Sequence, residues 1–109
     1  MAEVVQITEA NFQEMAAKYP YLILDFTATW CGPCKILDPM LKEIVANIEN
    51  DKFAVGKVDV DANQGLAINF DIMNVPTLIF LKDGQPIDMQ IGVSKKKDLE
   101  NKVNNFIEG

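Results

Sequence analysis

The stretch Tyr21-Leu22-Ile23-Leu24-Asp25-Phe26 most limits the folds open to this chain, because it is apolar at consecutive rather than alternate positions. Successive side chains of a strand point to opposite faces, so a strand apolar on both must be covered on both. Residues 21–28 therefore predict a central strand with layers above and below it. A helical pattern follows and runs to about Ile48, with Leu37, Leu41, Ile44, Val45 and Ile48 recurring at helical spacing. Pro39 lies inside that pattern and predicts a kink.

The flanking segments repeat the alternation. Val4, Val5 and Ile7 suggest a short strand, and Thr8 a cap for a helix over residues 9–18 with Phe12, Met15, Ala16 and Tyr19 as its apolar stripe. Residues 53–60 read as a strand, 64–70 as a short helix and 77–81 as a strand. Asp83-Gly84 marks a hairpin turn into Ile87, Met89 and Ile91, which alternate with Asp88 and Gln90. Pro86 confines that strand to a sheet edge. Ser94 is placed to cap a last helix carrying Leu99, Val103, Phe106 and Ile107 on one face. Strand–helix–strand units argue for parallel pairing, and the terminal hairpin adds an antiparallel edge. The expected class is α/β: one mixed sheet with helices on both faces, in a single domain spanning 1–109.

The net charge of −6 arises from 16 acids against 10 lysines, with no arginine and no histidine. Nucleic acid needs a basic face, preferably with arginine forks, and is not expected as a partner. The missing histidine removes Ser–His–Asp and Cys–His hydrolases and histidine-containing zinc sites. The first residues lack a basic segment followed by an apolar one, and no apolar run approaches a bilayer's thickness. A cytoplasmic protein without a membrane partner is expected.

Both cysteines lie three positions apart in Trp30-Cys31-Gly32-Pro33-Cys34-Lys35, where the central strand hands over to the helix. Thiols at i and i+3 lie on neighbouring sides of one turn, within reach of a disulfide. Cys31 at the helix mouth is the expected nucleophile and the more exposed sulfur, because unpaired amides and the helix dipole favour its thiolate. Cys34, one turn in, would resolve the mixed disulfide. A static structural disulfide, or half of a zinc site shared by two chains, uses the same spacing. Gly32 and Pro33 tune the pair, since proline withholds an amide and stiffens the loop, favouring the reducing end of the exchange scale. Lys35 and Lys57 join them as tuning residues. Asp25 lies in a strand buried on both sides, where an ionised carboxylate is costly. Its pKa should rise towards neutrality, making it a candidate acceptor for the Cys34 proton, with Lys57 as its cationic neighbour. An ordinary buried ion pair is the alternative.

The chain resembles the thioredoxin family along essentially its whole length. The resemblance is carried by Leu24-Asp25-Phe26, Ala28-Thr29-Trp30-Cys31-Gly32-Pro33-Cys34-Lys35, Pro39 and Lys57-Val58-Asp59. It continues in Ala67, Phe70, Ile72, Val75-Pro76-Thr77, Lys82-Asp83-Gly84 and Gly92. It implies the thioredoxin fold, a central five-stranded mixed β-sheet flanked by four α-helices, with the cysteines at the start of the second helix. It further implies a general protein-disulfide reductase that binds no cofactor. Its disulfide-containing protein substrates would be served by a monomer, recharged by thioredoxin reductase with electrons from NADPH. No Gly-x-Gly-x-x-Gly element appears, so NADPH would be used indirectly. Val75-Pro76-Thr77 resembles the family's cis-proline loop, which faces the cysteines and pairs with an extended substrate. Trp30, Val60, Val75, Ile91, Gly92 and Val93 are the candidate apolar rim. Four positions depart from the family pattern: Thr27 in place of an aromatic, Asp38 just before Pro39, Gln64, and Asn74 beside the proline loop. A disulfide oxidase or isomerase, and a redox-independent binding module, are the competing readings.

Overall fold

The consecutive apolar run does become the centre of a sheet. In the computed structural model, which describes residues 2–109, it forms β2 (Tyr21–Thr27), flanked on one side by β3 (Phe53–Asp59) and on the other by β4 (Thr77–Lys82). The outer strands are β1 (Glu3–Gln6), beside β3, and β5 (Gln85–Ile91), beside β4. β1 and β2 run parallel to β3, while β4 pairs antiparallel with both β2 and β5. Four helices complete the fold: α1 (Phe12–Lys18), α2 (Cys34–Ala46), α3 (Gln64–Asn69) and α4 (Lys96–Glu108). This is the thioredoxin fold expected from the sequence.

Two apolar layers form on the two sheet faces. Ile23, Phe53, Val55, Leu78 and Phe80 meet Leu37, Leu41, Ile44 and Val45 of α2, and Leu99, Val103 and Phe106 of α4. Leu22, Leu24, Phe26, Ala54, Val58, Ile79 and Leu81 meet Phe12, Met15 and Ala16 of α1, and Leu66 of α3. Each such fully buried side chain contributes about 1.5–3 kcal/mol of transfer free energy. Asp25 belongs to the α2 face of β2 by alternation with Ile23. That parity directs its carboxyl under the helix that carries Cys34.

Gly56 in β3 marks a close approach between layers. A Cβ there would overlap Cγ1 of Ile7 and stand 3.5 Å from Cδ1 of Leu22, and Ile7 is only 1% exposed, with no room to turn away. Gly56→Ala is expected to cost about 1–3 kcal/mol through overpacking. A urea midpoint equal to that of the parent protein would refute this.

Several element ends differ from the sequence reading. Thr8 does cap the turn that opens into α1: its N–H donates to Asn11 Oδ1 at 2.7 Å, its hydroxyl accepts from the Asn11 N–H at 3.3 Å, and its carbonyl accepts from the Phe12 N–H at 3.0 Å. The regular helix begins after this reciprocal turn, at Phe12. Ser94, in contrast, gives up the cap position to Lys95, and its hydroxyl turns to the Lys95 carbonyl at 3.4 Å. At the start of α4 the Lys96 ammonium reaches Glu43 of α2 at 2.6 Å. α2 runs on through Pro39, which lacks the amide that would bond the Lys35 carbonyl. The Asp83-Gly84 turn has positive φ at both residues, 50° and 80°, as a tight hairpin requires. Pro86 does lie on an edge strand, beside a register irregularity at Phe80/Leu81.

Candidate active site

β2 ends at Thr27, and residues 28–33 carry the chain over the sheet edge to α2, whose first residue is Cys34. The Cys31 N–H bonds the Ala28 carbonyl at 3.2 Å, and the Lys35 N–H bonds the Gly32 carbonyl at 3.0 Å, so the cysteines flank a helical turn in formation. Cys31 and Cys34 form a disulfide with Cα atoms 5.4 Å apart. The Cys34 N–H donates to Cys31 Sγ at 3.2 Å. The expected contrast in exposure is nearly absent: Cys31 is 3% exposed and Cys34 1%. Ala28, Val60 and Val75 pack around both sulfurs, which is why the outer one is covered as well.

The Val75–Pro76 peptide is cis, and the Val75 carbonyl oxygen lies 3.6 Å from Cys31 Sγ. The Gly92 N–H donates to the Pro76 carbonyl at 2.9 Å, which ties the end of β5 to this loop. Gly92 adopts φ 83°, a left-handed conformation that glycine enters without strain. Thr77, the last residue of the Val75-Pro76-Thr77 loop, is buried, and its hydroxyl donates to the Asn74 carbonyl at 2.7 Å. It braces the loop from beneath.

The rim itself divides in two. Trp30, Val60 and Val75 line a shallow cleft of about 340 Å³ with Ala67, Ile72, Met73 and Asn74. Trp30 is 68% exposed, and its indole N–H donates to Asp61 Oδ2 at 2.7 Å, which fixes the ring. Ile91 and Val93 are exposed but do not line that cleft; the Gly92 bond holds them on the other flank of the proline loop. Met73 and Asp61 are contributors that sequence reasoning missed. Asp61 stands 31 residues from Trp30, and no local pattern connects them.

Behind Cys34 lies a second cleft of about 290 Å³, lined by Gln6, Thr27, Ala28, Thr29, Cys34, Lys35, Asp38, Lys57 and Asp59. Asp25 is sealed beneath it at 1% exposure. Burial pushes its carboxyl up to about 9; a hydrogen bond with Asp38 and the charge of Asp38 act in the same direction, against Lys57. This exceeds the rise towards neutrality expected from the sequence, and the added cause is Asp38. Lys57 faces Asp25 in the β2–β3 register, yet its ammonium pairs with Asp38 Oδ2 at 3.6 Å. Lys57 is thus the expected cationic neighbour of Asp25, acting on it by charge, while its ion pair is made with Asp38. The Cys34 and Asp38 spacing, i and i+4 on one helix, was the sequence signal for this neighbour. Among the described residues, no group of three or more Cys, Asp or Glu could hold a metal ion, and no helix could cross a membrane.

Comparison with known proteins agrees with this geometry. The family model described as Thioredoxin matches residues 3–105. Thioredoxin of Staphylococcus aureus is 43% identical over 96 residues, covering 88% of this chain and 90% of its own length. Among solved structures, a mutant thioredoxin from Halobacterium salinarum superposes with a TM-score of 0.85 at 28% identity, over 95% of this chain and 90% of that one. Malassezia sympodialis thioredoxin also reaches 0.85, at 33% identity over 94% and 92%. With the cysteine pair closed at the head of α2 and the cis-proline loop against it, the chain belongs to the thioredoxin family and is a thiol–disulfide oxidoreductase with protein-disulfide reductase activity.

Proposed function

We propose that this chain is a general reductant of protein disulfides in which Cys31 attacks and Cys34 resolves. The observation that supports this most is the disulfide at the start of α2 with the Cys34 amide aimed at Cys31 Sγ. In the reduced protein that amide and the helix N-terminus stabilise negative charge on the Cys31 sulfur. The thiolate attacks one sulfur of a substrate disulfide, and the electron pair of the broken bond leaves on the other substrate sulfur, which takes a proton. Cys34 then gives up its proton to the acids behind it, Asp25 and its neighbour Asp38, and attacks Cys31 Sγ. The intrachain disulfide forms and the second substrate sulfur departs with the bonding pair. Two electrons have passed from the dithiol to the substrate.

An extended substrate would lie across Trp30, Val60 and Val75, with its backbone against the Val75-Pro76 segment and Ile91, Gly92 and Val93 on the far side. Gly32, Pro33 and Lys35 keep the pair reducing. Thioredoxin reductase would return two electrons from NADPH, in a cytoplasm whose thiols are kept reduced. The protein would act as a monomer of one domain.

Separate Cys31→Ser and Cys34→Ser variants test the assignment against a disulfide-bonded protein, with thioredoxin reductase and NADPH as the electron source. Cys31→Ser should consume no NADPH and capture no substrate. Cys34→Ser should lose turnover while accumulating a mixed disulfide visible by mass. Capture by the Cys31→Ser protein would defeat the assignment, as would NADPH consumption that persists without Cys34.

A further inference from the structure

Asp38 lines the cleft behind the disulfide together with Cys34, and the disulfide chemistry alone does not account for it. It sits one helical turn beyond Cys34. Asp38 Oδ2 accepts from the Thr27 hydroxyl at 3.0 Å and faces the Lys57 ammonium at 3.6 Å. These are contacts that suit an ionised carboxylate. Its other oxygen, Oδ1, is buried without a hydrogen-bond partner, and so is Oδ1 of Asp25. The Asp38 carboxyl stands within hydrogen-bonding reach of Asp25 and helps to raise its pKa. Asp25 is sealed from solvent, whereas the Asp38 side chain keeps 18% exposure at the cleft.

Two carboxyls in hydrogen-bond contact cannot both be ionised cheaply, so such a pair retains one proton over a wide pH range. The other groups facing it are Cys34 and Lys35 from α2, Lys57 and Asp59 from β3, and uncharged Gln6 from β1. Lys42 of α2 lines a second hollow on the far side of Asp38 and Lys57. Among the described residues, Lys57 forms the ion pair with Asp38, and it leaves the two acids with about one net charge to neutralise rather than two.

We propose that Asp25 and Asp38 work as one acid–base unit sharing a single proton, with Asp38 as the positioning residue that opens Asp25 to the cleft. The proposal rests on the cysteine roles given above. As Cys34 attacks Cys31 Sγ, its thiol proton passes to Asp25, and the proton already shared moves fully onto Asp38. The unit goes from one negative charge to none as the negative charge passes to the sulfurs. The Cys31–substrate bond breaks, the Cys31–Cys34 bond forms, and the electron pair leaves on the substrate sulfur. The extra proton then departs through Asp38 into the cleft.

The test uses the full chain with carboxyl-¹³C aspartate, titrated by NMR in the oxidised form, together with the pH profile of resolution from a mixed disulfide made with a disulfide-bonded peptide. In the wild type, Asp25 and Asp38 should titrate as a coupled pair. In Asp38→Asn, Asp25 should titrate in one step at least about one pH unit lower, since a neighbouring charge and its hydrogen bond have gone. The resolution profile should move by the same amount, while mixed-disulfide formation by Cys31 keeps its rate. Asp38→Glu, which restores the charge, should bring back coupled titration. An Asp25 midpoint unmoved in Asp38→Asn overturns the proposal, and so does a moved midpoint with an unmoved resolution profile. A wild type that forms no mixed disulfide overturns the cysteine assignment and the proton route with it, a failure visible before any Asp38 variant is made.

Discussion

Asp25→Asn should make the protein more stable by about 3 kcal/mol at pH 7 and slower to release its substrate. The folded state holds a proton on Asp25 up to about pH 9, whereas the unfolded chain gives it up near pH 4. Between those values the native state binds more protons than the unfolded one, so stability falls by about 1.4 kcal/mol for each pH unit gained. At pH 7 the accumulated loss is about 4 kcal/mol, and burying an amide in place of the acid returns about 1 of it. The gain must therefore vanish as pH falls below about 4, where the acid is protonated in both states. Urea unfolding at pH 4 and pH 7 reads this difference directly. An equal gain at both values would mean that charge burial is not the cause. Because Asn cannot relay a proton from Cys34 towards Asp38, resolution by Cys34 should slow about 10–100-fold at pH 7, within the usual worth of an acid–base group. Unchanged resolution would remove Asp25 from the chemistry.

Phe80→Ala should cost about 3–5 kcal/mol, a large share of a small domain's stability. Phe80 is fully buried in β4, with its ring edge-to-face against Phe106 at 5.2 Å and Lys102 Nζ 5.3 Å from its centroid. Phe106 also meets the rings of Tyr21 at 5.5 Å and Phe53 at 6.4 Å, so one aromatic group fastens α4 to three strands. Truncating Phe80 leaves a void that the flanking strands β2 and β5 cannot close, since both are held in register by their ladders. The expected signature is a lower unfolding midpoint with disulfide-exchange rates unchanged wherever the variant is still folded. A midpoint shift under about 1 kcal/mol would mean that the site repacks.

The fold was legible because its signals are periodic and redundant. Consecutive apolar residues in 21–26 can only be satisfied by layers on both sides, and the Asp83-Gly84 turn leaves one geometry for the last two strands. Helix starts were less legible. Thr8 and Ser94 are both chemically able to cap; Thr8 does so by accepting from the Asn11 N–H, whereas Ser94 turns to the Lys95 carbonyl, because a hydroxyl's choice among nearby partners is decided by backbone geometry. In the site, the cysteine pair and the buried acid were readable from position alone. The division of the rim was not, because Trp30, Val60 and Val75 share one cleft that Ile91 and Val93 do not line, and nothing local in the sequence separates them.

The amino-acid order by itself determined the central strand, the helix that follows it, and the two sulfurs at their junction, since each depends on neighbours within a turn or two. Tertiary structure alone decided which charges meet. It gave Lys57 its ion pair with Asp38, set Asp38 of α2 beside Asp25 of β2, and set Asp61 against Trp30. Electrostatic partnership depends on distances of a few ångströms between distant parts of the chain, and those distances exist only once the layers have packed.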